Sequence, residues 1–380
     1  MMNMKINITL RNAAFVFMIG NLLYFMFPFP PIVWRLLSVI VSVYIAYRFI
    51  TREKMRTFEK LCYAFVAMNL VYYFTSFLWM SPSMTQIGNI MCAMLTFPAF
   101  IYLGKKGVLT DRFMIVAMLV LTACSIPAYY HTEQEALKNM LFKEGQTTVN
   151  ASTYFLMILP LCIINYKKIV SFAVFTICVS FIFMSAKRGN ILCAVVPTVM
   201  YLYLQSKEAK KSLFLPFVYA IVFAGIGYYL YESVMENEYL LSRFEDTLDG
   251  NSSGRDVIYA NIWNTWYNSN NICNLLFGYG WDGSINNGGM RAHNDWLELL
   301  IDHGLFGTGL YLSMFLSLFS LFLKRKNFYL QAIIIATCSI WFLKTVFSMG
   351  YTDGTLSFLA LSLAYVYTKY YYSNNLTENK

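Results

Sequence analysis

The chain has 380 residues, of which 58% are hydrophobic and only 13% charged, and its mean hydropathy is +0.50. A soluble domain of this length carries about twice that charge fraction, so composition excludes a soluble globular protein and points to an all-α polytopic membrane protein. The net charge of +9 is first a topology signal and only then a hint of anionic partners.

The first apolar run, Ala13 to Phe27, lacks a small-residue cleavage site and leads through Pro-Phe-Pro-Pro into a second run, so no cleavable signal peptide is expected. Apolar runs predict about twelve transmembrane helices, over 10–27, 31–49, 61–80, 87–103, 113–130, 151–165, 169–185, 190–204, 213–231, 296–323, 328–347 and 355–371. Several are short, and spans six to eight are candidates for tilted or re-entrant segments. One set of connecting loops holds 20 of the 29 basic residues, among them Arg48, Arg52, Lys54, Arg56, Lys60, Lys324, Arg325 and Lys326. By the positive-inside rule those loops and both termini are cytoplasmic. The whole of 1–380 then reads as a single integral membrane domain. Two segments fall outside: 131–150, and a large exterior loop over 232–294 between spans nine and ten.

Within that loop, Ile258, Ile262, Trp263, Trp266 and Tyr267 recur at helical spacing, which predicts an amphipathic helix lying on the membrane surface. Turn signals come next at Gly278, Gly280, Asp282-Gly283 and Gly288-Gly289. Of eight cysteines, seven sit in apolar runs as small hydrophobes, and Cys273 stands alone in the loop. Neither a disulfide framework nor a metal cluster is supported.

The stretch from Gly278 to Gly309 carries the densest set of candidate functional groups. His293, one of three histidines, precedes an Asp295–Glu298 pair with the spacing of a capping box, which predicts a helix beginning near Asp295. At the positive end of that helix an imidazole favours its neutral form, as a general base requires. The competing reading is a loop histidine with no chemistry. Gly304, Gly307 and Gly309 predict one thin face for close helix packing.

Outside basic residues are informative because the topology rule selects against them there. Lys187 and Arg188 lie in Ser-Ala-Lys-Arg-Gly-Asn, and Arg243, Arg255 and Arg291 are spread along the long loop. Guanidinium groups there suit a phosphate or pyrophosphate, against the alternatives of lipid headgroups and loop acids. Asp302 and His303 fall inside span ten, where ionisable groups are functional candidates by default, with mutual pairing or helix capping as the alternative. Arg35 and Lys344 are placed to snorkel from span ends. Tyr351 and Asp353, in the last outside loop, either line the same cavity or form an ordinary turn. Trp263, Trp266, Tyr279, Trp281 and Trp296 offer aromatic faces of the kind that suit sugar rings. With no nucleotide loop, catalytic triad or metal cluster in the sequence, an enzyme of this build would use an already activated, membrane-delivered substrate.

Arg-Ala-His-Asn-Asp-Trp-Leu-Glu-Leu-Leu-Ile-Asp-His-Gly-Leu-Phe-Gly resembles the signature of the O-antigen polymerase and ligase superfamily (the Wzy and WaaL groups). Ser-Ser-Gly-Arg-Asp followed by Gly-Tyr-Gly, and Ser-Ala-Lys-Arg-Gly, are similar to two further elements of that family and come in its order. The resemblance implies a GT-C-like, metal-independent inverting glycosyltransferase without cofactor. Its donor would be a glycan on undecaprenyl pyrophosphate, taken at the periplasmic face of a bacterial inner membrane, which would make 232–294 a large periplasmic loop. It assigns His293 as the base that deprotonates the acceptor hydroxyl. Arg188 and Arg255 hold the pyrophosphate, Arg291 assists, and Asp302, Tyr279 and Asn294 are candidate supporting residues. The polymerase branch is favoured, with a lipid-linked repeat unit as acceptor and a chain-length regulator as a candidate partner. Ligation to lipid A–core is the alternative, and a non-enzymatic lipid-linked oligosaccharide flippase the third. No nucleic-acid partner is expected.

Overall fold

The computed structural model describes residues 55–140, 151–185, 187–209, 254–323 and 327–377, with scattered positions in 40–51 and 225–232. Every described element is helical. The helices are α1 (Thr57–Ser76), α2 (Met84–Lys105), α3 (Asp111–Met140), α4 (Ser152–Ile164), α5 (Ile169–Met184) and α6 (Arg188–Ala209). After the undescribed stretch come α7 (Arg255–Tyr267), α8 (Ile272–Phe277), α9 (Gly283–Gly288), α10 (Asp295–Leu323) and α11 (Phe328–Phe347). A 3-10 turn, Gly354–Leu356, leads into α12 (Ser357–Thr377).

These helices fall on nine of the twelve expected spans. The first span, and most of the second and ninth, lie outside the described residues, as does Arg35. Among the described residues, five helices are long and apolar enough to cross a membrane: α2, the 111–134 part of α3, most of α6, α10 and α11. By contrast α4 and α5, of 13 and 16 residues, are shorter apolar helices. Thirteen residues reach about 20 Å, well under the ~30 Å hydrocarbon core. Span five runs on past its expected end at 130 to Met140, so the outer segment expected over 131–150 begins as helix.

A helix that is apolar all round belongs in the interior. Accordingly, α4 buries every residue from Phe155 to Ile164, and Phe155 stacks on Phe181 of α5 at 4.5 Å. Around it pack α3, α5, α6, α11 and α12. On the other side α1 lies between α2 and α10, joined by Phe58 on Phe97 of α2 and Phe65 on Tyr311 of α10. Outward-facing Leu305, Phe306, Leu312, Leu316 and Phe319 leave one side of α10 apolar and exposed, as lipid contact requires.

The three glycines of α10 do not form one packing face. At Gly304 the backbone leaves helical geometry, while a Cβ at Gly307 would strike the Cβ of His303 and approach Met68 of α1. At Gly309 it would meet nothing within 4 Å. Lys344 does not snorkel either. It is buried, and its Nζ sits 2.6 Å from Asp353 Oδ2. An ammonium in the last turn of α11 finds its anion in the next loop, which removes the reason to reach for water.

Candidate active site

The loop before α10 is held by a backbone clamp. Gly304, at φ 63° and ψ −160°, interrupts α10 one turn short of mid-helix and frees carbonyls that an unbroken helix would use internally. Two of them accept from the Gly278-Tyr279-Gly280 turn: Tyr279 N–H donates to Ile301 O at 2.8 Å and Gly280 N–H to Asp302 O at 3.0 Å. The approach is close enough to require glycine on both sides. A Cβ at Gly278 would lie 2.4 Å from the Asp302 carbonyl, and one at Gly304 would lie 2.5 Å from that of Leu276. Tyr72 of α1 closes the same turn by donating its hydroxyl to Phe277 O.

Side chains then fix the loop that ends in His293. Asp302 and His303 do not pair with each other. Asp302 caps α9 by accepting from Ser284 N–H at 3.1 Å, whereas His303 lies buried against the Tyr72 ring at 4.4 Å. Arg291 is bound on two sides, 2.6 Å from Asp282 and 3.0 Å from Gln86 of α2. Tyr279 donates its hydroxyl to Thr265 O at 3.0 Å, tying the turn to α7. Glu298 reaches back to accept from Ala292 N–H at 2.6 Å. Ile262 of α7, Ala292 and Ile301 form a small apolar cluster beneath the loop.

The capping residue of α10 is Asn294 rather than Asp295. Asn294 Oδ1 accepts from the N–H groups of Trp296 and Leu297 at 3.0 and 3.2 Å. That releases Asp295 to turn inward. Fully buried, it accepts from Gly350 N–H at 2.7 Å and from Tyr351 N–H and the Tyr311 hydroxyl at 3.0 Å. Tyr311 in turn accepts from Trp341 Nε1 at 2.9 Å. Asp295 thus ties the start of α10 to α11 and to the loop before α12, a role that the capping-box spacing concealed.

Between the pinned residues Ala292 and Asn294, His293 adopts a left-handed backbone at φ 52° and projects outward, exposed. A non-glycine residue there is held against its preference by its surroundings, and such positions cluster at functional sites. His293 lies two residues before a helix long and apolar enough to cross a bilayer.

Three helix beginnings meet at one end of α11. Asn294 Nδ2 donates to Val346 O at 3.2 Å, Arg255 Nη1 donates to Phe347 O at 3.0 Å, and a Cβ at Gly189 would rest 3.5 Å from Phe347 Cβ. The structure therefore gathers the start of α6, the arginine opening α7 and the His-Asn pair, which are far apart in sequence. Helix starts carry unpaired backbone N–H groups and the positive end of a dipole, and here they lie beside the carbonyl end of α11. Arg188 is the first residue of α6, and its side chain lies outside the described residues, as does Arg243.

Charge at this end is predominantly positive. Partial burial, and then Arg255 and Arg291, hold His293 below its usual 6.5, which favours the neutral imidazole. Burial, Lys344 and Arg255 push the Lys187 ammonium down to about 8. Burial raises the Asp353 carboxyl, but Lys344 and the Thr355 N–H and hydroxyl more than reverse this and leave it below the usual carboxylate range. Of the residues singled out from sequence, Tyr351 is buried behind the site rather than exposed in it, and Asp353 serves Lys344. Gln86 has no sequence signal, because it contributes only by lying across from Arg291.

The profile of the family described as O-Antigen ligase matches residues 173–312. No curated protein matches the chain. The matched stretch contains all three motif elements that the fold brings to the end of α11. Over these residues, fewer than half of the chain, the protein is similar to that family of glycosyltransferase-like membrane enzymes, and the similarity does not separate the ligase and polymerase branches.

Proposed function

We propose that this protein is a surface-polysaccharide (O-antigen) polymerase. It would move a glycan from undecaprenyl pyrophosphate onto the terminal sugar of another lipid-linked repeat unit at the periplasmic face. The observation that supports this reading is the meeting of three helix N-termini at the end of α11, where Arg255 lies near Lys187 and helps to lower the proton affinity of the exposed His293. In the reaction, His293 takes the proton of the acceptor hydroxyl and the oxygen attacks the anomeric carbon. The bond from that carbon to the pyrophosphate oxygen breaks with inversion. Arg188 and Arg255 stabilise the departing pyrophosphate, aided by the helix starts. No metal is assigned a step.

Arg291, already bound to Asp282 and Gln86, positions the loop instead of gripping phosphate. Tyr279 and Asp302 act the same way, since their polar groups are engaged with Thr265 and Ser284. Asn294 fixes the backbone beside His293.

The ligase reading, with lipid A–core as acceptor, is the alternative: the matching family carries the description O-Antigen ligase, but the match over 173–312 does not separate the two branches. A lipopolysaccharide gel of a deletion strain separates the two. Core carrying a single repeat means polymerase, whereas naked core with accumulated lipid-linked polymer means ligase. An unchanged ladder refutes both for lipopolysaccharide.

A further inference from the structure

Of the aromatic residues that the sequence sets around the long loop, packing leaves Trp263 with an open face. Trp266 and Trp281 are buried, while Tyr279 and Trp296 are half-buried with their polar atoms bonded to Thr265 and Thr345. Trp263 is exposed and lies nearly parallel to the exposed Tyr267 one turn on, with ring centroids 6.0 Å apart and planes at 10°. Trp266 braces this pair from within. It contacts Trp263 at 5.4 Å and is itself fixed by donating Nε1 to Leu275 O at 3.3 Å. Helical spacing places Asn264 and Asn268, both exposed, in the row beside the two rings, with the small Ala260 between the rows.

We propose, on the basis of the glycosyl-transfer reading, that this face of α7 is a subsite for the sugar chain of the lipid-linked substrate. Trp263 and Tyr267 lie against the apolar faces of sugar rings, and Asn264 and Asn268 bind their hydroxyls. A pyranose presents C–H groups on its faces and hydroxyls at its rim. The electron-rich face of an aromatic ring attracts the former, and an amide, with an acceptor and two donors, matches neighbouring hydroxyls. A helix lying among lipid headgroups would instead carry lysine or arginine in its polar rows, and α7 has neither after Arg255. Membrane depth gives the same answer. Along α10 no residue from Asp295 to Gly304 is exposed, and the outward-facing apolar run from Leu305 to Leu323 is about 27 Å, close to the ~30 Å hydrocarbon core. Through Ile262, α7 packs on Ala292 and Ile301, outside that run and on the His293 side of it. From Arg255 to Trp263 is about 12 Å of helix and to Tyr267 about 18 Å, so the two rings meet sugars some units away from the reacting bond.

The test is binding of the source strain's surface polysaccharide, cut from its lipid anchor, to the purified full-length protein by isothermal titration calorimetry. Without a pyrophosphate leaving group the chain binds and cannot react. W263L/Y267L keeps an apolar surface but removes both aromatic faces, and should weaken binding on the order of tenfold. W263F/Y267F should restore most of it, and N264A/N268A should also weaken binding. These side chains are exposed, so melting temperatures should stay with the wild type. Equal binding by W263L/Y267L and W263F/Y267F would overturn the proposal, because the face would then act as apolar surface alone. So would absence of binding by the wild type. The transfer reading fails on a different result, an unchanged ladder in the deletion strain.

Discussion

Replacing Gly304 with alanine tests the clamp that positions the candidate site. Two costs add at this residue. Its φ of 63° with ψ of −160° belongs to a region that only glycine enters freely, and forcing another residue there costs about 1–3 kcal/mol. The new Cβ would also lie 2.5 Å from the Leu276 carbonyl carbon and oxygen and 2.6 Å from Gly278 N. These are backbone atoms, so the turn must move away and release the bonds from Tyr279 to Ile301 and from Gly280 to Asp302. At about 1 kcal/mol each, those bonds bring the total to roughly 3–5 kcal/mol. Thermal unfolding in detergent, followed by fluorescence-detected gel filtration, should show a drop on the order of 5 °C for a chain of this size. Glycosyl transfer should fall further than stability, because the loop that carries His293 loses its support. Gly309→Ala is the matched control, since the added methyl there meets nothing within 4 Å and should be neutral. If Gly304→Ala melts with the wild type and keeps full activity, the helix break does not hold the loop and the reasoning is refuted.

The same geometry sets four further outcomes. His293→Ala should abolish transfer while leaving expression and melting temperature intact, because the ring is exposed; retained activity removes it as the base. Transfer should stay constant with falling pH until below 6.5, since His293 acts as the neutral base and its proton affinity is depressed. Arg255→Gln, by removing one depressing charge, should shift that acid limb toward neutrality even as turnover drops, and a limb that stays put would show that Arg255 does not face His293. Asp295→Ala leaves three buried donors unpaired and should destabilise the protein by about 3 kcal/mol or more, read as a melting shift.

Local composition and hydrophobic period were enough to set a large part of this molecule. Apolar runs gave the places of nine described helices, helical spacing marked α7, basic charge on the outer side marked Lys187, and motif order drew attention to Arg188, Arg255 and His293. These are readable because burial in lipid or protein demands apolar residues at fixed intervals whatever the neighbours are. Other features were decided only when the helices packed. Asp295 and Glu298 fit a capping box by spacing, yet Asn294 caps the helix and Asp295 binds Gly350 and Tyr351, more than fifty residues away. Gly304 looked like one of three packing glycines until the Gly278–Gly280 backbone was seen against it. Arg291 kept its charge but not its freedom, because Asp282 and Gln86 reach it from separate elements. Single-sequence patterns carry each residue's own preferences, whereas hydrogen-bond partners distant in the chain are chosen by how the helices pack.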